Sequence, residues 1–113
     1  MSHEIGLLGY QSKTDFYISY SGSRYRFSIY KSRTPLSYKD ARDRCEVKRL
    51  QLARKDDLTQ EDHYLVKKSL KKGTKYWFED CHQLSPNGVF KQVKCNKLTT
   101  DEPTTFGYIC ETG

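Results

Sequence analysis

The chain has 113 residues, enough for one domain with a small core. Hydrophobic residues make up 35% and charged residues 30%, with a mean hydropathy of −0.86, and no stretch has the apolar length of a membrane span. Nine tyrosines and five phenylalanines exclude a solvating, disordered chain, while the net charge of +6 fits either a basic soluble surface or an anionic partner.

The first 15 residues are weakly patterned and read as an N-terminal arm or short strand. No signal peptide opens the chain at Met1-Ser2-His3-Glu4. Residues 16–20 and 24–30 are rich in aromatic and β-branched residues and flank Ser21-Gly22-Ser23, which predicts a hairpin. Tyr25, Phe27 and Ile29 fall on one face of its second strand, and Arg24 and Arg26 on the other. Thr34-Pro35-Leu36 ends the strand. Ser37-Tyr38-Lys39-Asp40 has the form of a helix N-cap with an acid three residues on, and Tyr38, Ala41 and Cys45 line one helical face.

Leu50, Leu52 and Ala53 form an apolar connector. A second helix is expected from the acidic run Asp56 to Asp62, through Leu58, Leu65, Val66 and Leu70 as buried residues, to a lysine-rich end stopped at Gly73. Residues 76–95 then read as one hairpin around Ser85-Pro86-Asn87-Gly88, with Trp77 and Cys81 on a single incoming strand. Asn96 to Thr105 reads as a polar surface loop and Phe106 to Glu111 as a last strand. The element order is that of a single α+β domain.

The four cysteines, Cys45, Cys81, Cys95 and Cys110, are widely spaced, with no C-x-x-C. An even number in a small polar domain favours two disulfides and an extracellular setting, and the spacing alone leaves three pairings open. On that basis the chain is expected to be a mature domain or an excised ectodomain. His3, His63 and His82 lie at no metal-ligand spacing from one another. There is no glycine-rich phosphate loop and no serine elbow, and a Cys81 held in a disulfide cannot serve as a nucleophile. The expectation is a binding domain without enzymatic activity, metal or cofactor.

The order of these pieces resembles the C-type lectin-like domain. The resemblance is carried by Tyr25-Arg26-Phe27-Ser28, the helix from Ser37 to Cys45, Leu52-Ala53, Tyr76-Trp77, Glu79-Asp80-Cys81, Asn87-Gly88-Val89-Phe90, Cys95 and Tyr108-Ile109-Cys110-Glu111, across roughly residues 16–112. It implies two helices packed on small antiparallel sheets, and the pairings Cys45–Cys110 and Cys81–Cys95. The first-hairpin cysteine pair of the longer family form is absent, leaving the four-cysteine form.

Three departures from the family pattern stand out. The long loop that carries calcium and sugar-selecting residues is missing between Trp77 and Cys81. The family's Trp-Asn-Asp triplet falls on Phe90-Lys91-Gln92, so Lys91 offers an ammonium where calcium needs an oxygen. Lys91 is therefore expected near Glu79, in place of a metal, in a pair contributing at most ~1 kcal/mol. Arg49 replaces the glycine usually found four residues after the helix cysteine, an exchange without strain if the backbone there needs no positive φ.

The resemblance implies a calcium-independent recognition module. The partner expected first is a protein, met by Tyr76, Phe78, Lys91, Gln92, Lys94 and the 96–105 loop. Trp77 and Phe90 are assigned to the core. The alternative is a sulfated glycan of heparan sulfate type, met by Lys67, Lys68, Lys71, Lys72, Lys75 and Lys97 together with Lys91 and Lys94, if the end of the second helix lies near the hairpin. Arginine would serve bidentate sulfate contacts better than these lysines do. Neither nucleic acid nor membrane insertion is expected, and the oligomeric state is open.

Overall fold

The β-prone stretches on either side of Gly22 pair as the antiparallel strands β1 (Phe16–Ser21) and β2 (Arg26–Lys31). The computed structural model describes residues 16–22, 25–94 and 107–112; the expected N-terminal arm and the 96–105 loop lie outside the described residues. Gly22 donates its N–H to the Tyr25 carbonyl, and a Cβ there would lie 2.7 Å from the Phe27 ring, so only glycine fits the turn without movement.

Helix α1 (Tyr38–Val47) starts where Ser37 and Asp40 form a reciprocal capping box. It ends in a Schellman motif: the Leu50 N–H donates to the Cys45 carbonyl and the Arg49 N–H to the Glu46 carbonyl. That closure puts Arg49 at φ 62°, so the condition for an exchange without strain is not met. Strand β3 (Gln51–Leu52) follows directly.

The second helix is shorter than expected. Lys55–Asp57 forms a separate 3-10 turn, and α2 (Gln60–Lys68) begins after it, capped by Thr59 in a second capping box with Asp62. The hydroxyl of Thr59 is a local acceptor for the Asp62 N–H, which is why the helix starts there and not in the acidic run before it. Lys67 and Lys68 occupy its last turn, and Lys71 and Lys72 lie beyond it.

The 76–95 region is also differently divided. It contains β4 (Tyr76–Phe78), β5 (His82–Leu84) and β6 (Phe90–Gln92), a three-stranded meander. Trp77 and Cys81 do not share a strand, because the chain reverses through Glu79-Asp80-Cys81. Asp80 and Cys81 have φ of 61° and 58°, a reversal that no glycine or proline signals in the sequence.

Strand β7 (Gly107–Glu111) lies inside the sheet. The path is β1-β2-β7-β4-β5-β6, with β4 parallel to β7 and β3 pairing with the end of β7. The result is a mixed sheet in an α+β domain. Side-chain alternation divides the core between its faces. Tyr30, Trp77, Tyr108 and Cys110 pack with Ala41 and Cys45 of α1. Phe27, Ile29, Tyr76, Phe78 and Ile109 pack with Val66 of α2. Gly107 makes room for its neighbour in the parallel pair, since a Cβ there would collide with the Tyr76 ring.

The Cys45–Cys110 disulfide joins α1 to β7 across a sequence separation of 65. Closing a loop of that size contributes about 4 kcal/mol in the chain-entropy model. Cys81 is also disulfide-bonded; its expected partner, Cys95, is outside the described residues.

Glu111, at the end of β7, is fully buried. Its carboxyl accepts from the Gln51 amide at 2.9 Å and the Arg54 N–H at 3.1 Å, and it shares a hydrogen bond with the Asp57 side chain. Two carboxyl groups can hydrogen-bond only when one carries a proton. Burial first, and Asp57 second, push the Glu111 pKa up to about 7 from 4.5.

Two outcomes are expected. Arg49→Gly should stabilise the fold by roughly 0.5–1 kcal/mol in urea denaturation, because glycine takes the left-handed backbone without a Cβ penalty. No gain would mean that the αL residue is not strained. For Glu111 the folded pKa lies above the unfolded one. Its contribution is therefore fully present below pH 4.5 and is lost as pH rises through about 7, at up to about 1.4 kcal/mol per pH unit. Glu111→Gln, which retains an uncharged hydrogen-bonding group, should flatten the stability profile over that window and raise stability at pH 8. An unchanged profile would refute the shared proton.

Candidate binding surface

The β4–β5 turn occupies the place where the resemblance puts a calcium ligand. Its Glu79 N–H donates to the Ala53 carbonyl at 2.7 Å, tying the turn to the connector after β3. The Glu79 carboxylate accepts from the Tyr38 hydroxyl, and that hydroxyl accepts from the Asp80 N–H at 3.2 Å. The Tyr38 ring meets Trp77 edge to face at 5.6 Å, and the indole N–H of Trp77 donates to the Leu36 carbonyl at 2.8 Å. Burial, then the Glu79 hydrogen bond and charge, push the Tyr38 pKa up to about 12, so this hydroxyl stays a donor. Glu79 is thus a clasp between α1 and the sheet.

Lys91 does not join it. In register Lys91 lies opposite Gln83, which lies opposite Trp77, whereas Glu79 sits in the turn beyond that row. Among the described residues no ion pair links Glu79 to Lys91. The expected substitution of an ammonium for the metal is corrected for a local reason: the tyrosine hydroxyl from α1 is the closer donor.

The expected protein contacts divide into two groups. Tyr76 and Phe78 are buried, at 1% and 0% exposure, and cannot touch a partner. The sequence reading treated β4 as half-exposed, but helices cover both faces of the sheet and all three β4 residues are buried. Lys91, Gln92 and Lys94 are exposed. Lys91 belongs to the Trp77–Gln83 row, and Gln92 to the Phe78–His82 row, where it donates to the Asp80 carbonyl at 3.1 Å. Adjacent strand residues face opposite ways, so these two cannot form one flat contact.

Of the expected lysine patch, Lys67, Lys68, Lys71 and Lys72 are exposed, Lys75 is half-buried, and Lys97 is outside the described residues. The end of α2 does reach the 85–89 turn. A Cβ on Gly88 would lie 2.9 Å from Lys67 Cδ, so the Lys67 stem rests on that glycine. His63 Nε2 donates to the Gly88 carbonyl at 2.8 Å, and its ring lies 5.4 Å from that of Phe90. A shallow concavity of about 210 Å³ opens between α2 and the turn, lined by Gln60, His63, Tyr64, Lys67, Asn87 and Gly88.

Tyr64 in this lining and Val89, next in the chain to Gly88, are exposed, at 59% and 57%. Sequence reasoning assigned neither to a surface. The Tyr64–Lys68 spacing of four residues was the available signal, and the Lys68 ammonium does sit 4.5 Å from the Tyr64 ring centroid. His63 carried no comparable signal, because its partner is a backbone carbonyl 25 residues away.

No family model and no curated protein matches the chain. Among the described residues, no helix is long and apolar enough to cross a membrane.

Removing the Tyr38 hydroxyl should leave the Glu79 carboxylate without its hydroxyl donor and the Asp80 N–H with only its 3.4 Å contact to that carboxylate. Tyr38→Phe is expected to cost about 1–2 kcal/mol in urea denaturation, with less loss in a Glu79→Gln background, where the charge is already gone. Equal losses in both backgrounds would show that the two groups are uncoupled.

Proposed function

We propose that the chain is an extracellular, calcium-independent recognition module of C-type lectin-like type that binds a protein partner and carries out no chemistry of its own. The resemblance in element and cysteine order supports the family reading, and the Cys45–Cys110 bond agrees with the pairing that it implies. Commitment of the Glu79 carboxylate to Tyr38 supports calcium independence, because a calcium site needs such oxygens available as ligands. The observation that carries the protein reading is the exposure of Tyr64 and Val89 beside lysines around the α2 concavity. Exposed aromatic and apolar side chains are the enriched feature of protein interfaces, whereas sulfate recognition depends first on the cations.

The sulfated-glycan reading keeps one specific support. Lys67 on Gly88 brings the α2 lysines against the hairpin turn, the condition on which that reading depended.

Screening the purified chain against displayed cell-surface proteins and a sulfated-glycan array, at near-physiological salt, separates the two. A saturable protein partner is expected. Binding confined to sulfated glycans and abolished by replacing Lys67, Lys68, Lys71 and Lys72 with alanine would overturn the protein reading. Millimolar calcium should leave the melting temperature unchanged, whereas a rise of several degrees would overturn calcium independence.

A further inference from the structure

We propose that the concavity between α2 and the β5–β6 turn is the docking site for an acidic peptide segment that carries an aromatic residue, presented by the protein partner. The proposal rests on the recognition reading above and adds the site and the chemistry of its ligand.

Size comes first. At about 210 Å³ the concavity is smaller than the roughly 300–1,000 Å³ of small-molecule sites. It accommodates a side chain from a partner better than a whole metabolite. Its walls are held in place. His63 fastens the turn through the Gly88 carbonyl, and the Asn87 carboxamide oxygen accepts from the Val89 N–H at 3.2 Å. Gly88, at φ 89°, lets the Lys67 stem lie flat against the turn. A preformed cleft loses little freedom on binding.

Charge and apolar surface then select the occupant. The acids of α2 are in its first turn, and Asp62 there is buried in the Thr59 cap. The cations are at the other end. Lys67 and Lys68 make no ion pair among the described residues, and Lys72 follows, also without one. An approaching carboxylate therefore meets uncompensated positive charge beside the cleft. Three large hydrophobic side chains stand out as exposed among the described residues, Val47, Tyr64 and Val89; Tyr64 lines this cleft and Val89 follows its Gly88 in the chain. Tyr64 in the lining, with Val89 next in the chain to Gly88, offers an incoming aromatic ring a surface to pack on.

The test uses the 15N-labelled full chain and a synthetic decapeptide of glutamates around one central phenylalanine. Amide shifts are expected at Tyr64, Lys67, Gly88 and Val89. Affinity should fall about tenfold or more in Tyr64→Ala, in Lys67→Glu with Lys68→Glu, and when the peptide phenylalanine is replaced by serine. All three protein positions are exposed, so the variants should fold. Absence of shifts at millimolar peptide overturns the proposal, as do shifts confined to Lys91–Lys94 or affinity indifferent to Tyr64→Ala. A heparin hexasaccharide that perturbs these residues where the peptide does not also overturns it. A screened protein partner that binds Tyr64→Ala and Lys67→Glu as tightly as the parent chain overturns this site while leaving the recognition reading intact.

Discussion

Burial of β7 on both faces sets the terms for the rest of the structure. Its residues Gly107 to Glu111 are all buried, with β2 on one edge and β4 and β3 sharing the other. A strand in that position needs a cover for each face, and the two short helices supply it. Tyr108 and Cys110 meet the α1 side, and Ile109 the α2 side. The Cys45–Cys110 bond makes one of these covers covalent. In a domain of this size, with a polar composition, that link replaces hydrophobic area that the chain does not have.

The same centrality explains the polar groups buried there. Glu111 cannot reach water, so it collects the Gln51 amide and the Arg54 N–H, and burial with Asp57 nearby raises its pKa. Tyr108 stacks on Tyr30 at 4.9 Å, and the Lys48 ammonium lies over that pair while hydrogen-bonded to the Tyr108 hydroxyl at 3.0 Å. Gly107 exists to admit the Tyr76 ring. Each is a local solution to packing around one strand.

Function has to be sought at the margins of this arrangement. Where the resemblance places calcium chemistry there is a tight turn, held by Tyr38 and Glu79, that serves the scaffold. The lysine-rich end of α2 and the β5–β6 turn instead form a single cationic and apolar surface, because Lys67 lies on Gly88 and His63 binds its carbonyl.

Much of this was legible in the residues. The first hairpin, the capping box of α1, the helical face of Cys45 and the α+β class follow from local periodicity and cap chemistry, which act over a few residues. The start of α2 was misplaced because an acidic run suits a helix end as well as a 3-10 turn does, and only the Thr59 cap distinguishes them. The β4–β5 reversal was illegible, since Asp80 and Cys81 adopt left-handed backbone without a glycine to announce it. The burial of Tyr76 and Phe78, the choice of Tyr38 over Lys91 as partner of Glu79, and the meeting of Lys67 with Gly88 were decided by the tertiary structure alone. They depend on contacts between residues 21 to 41 apart, where neither period nor propensity carries information. What the sequence by itself determined was the inward face of β2 and of α1, where local period and cap chemistry suffice; the fold decided which face of β4 was covered and which outward faces would stand together.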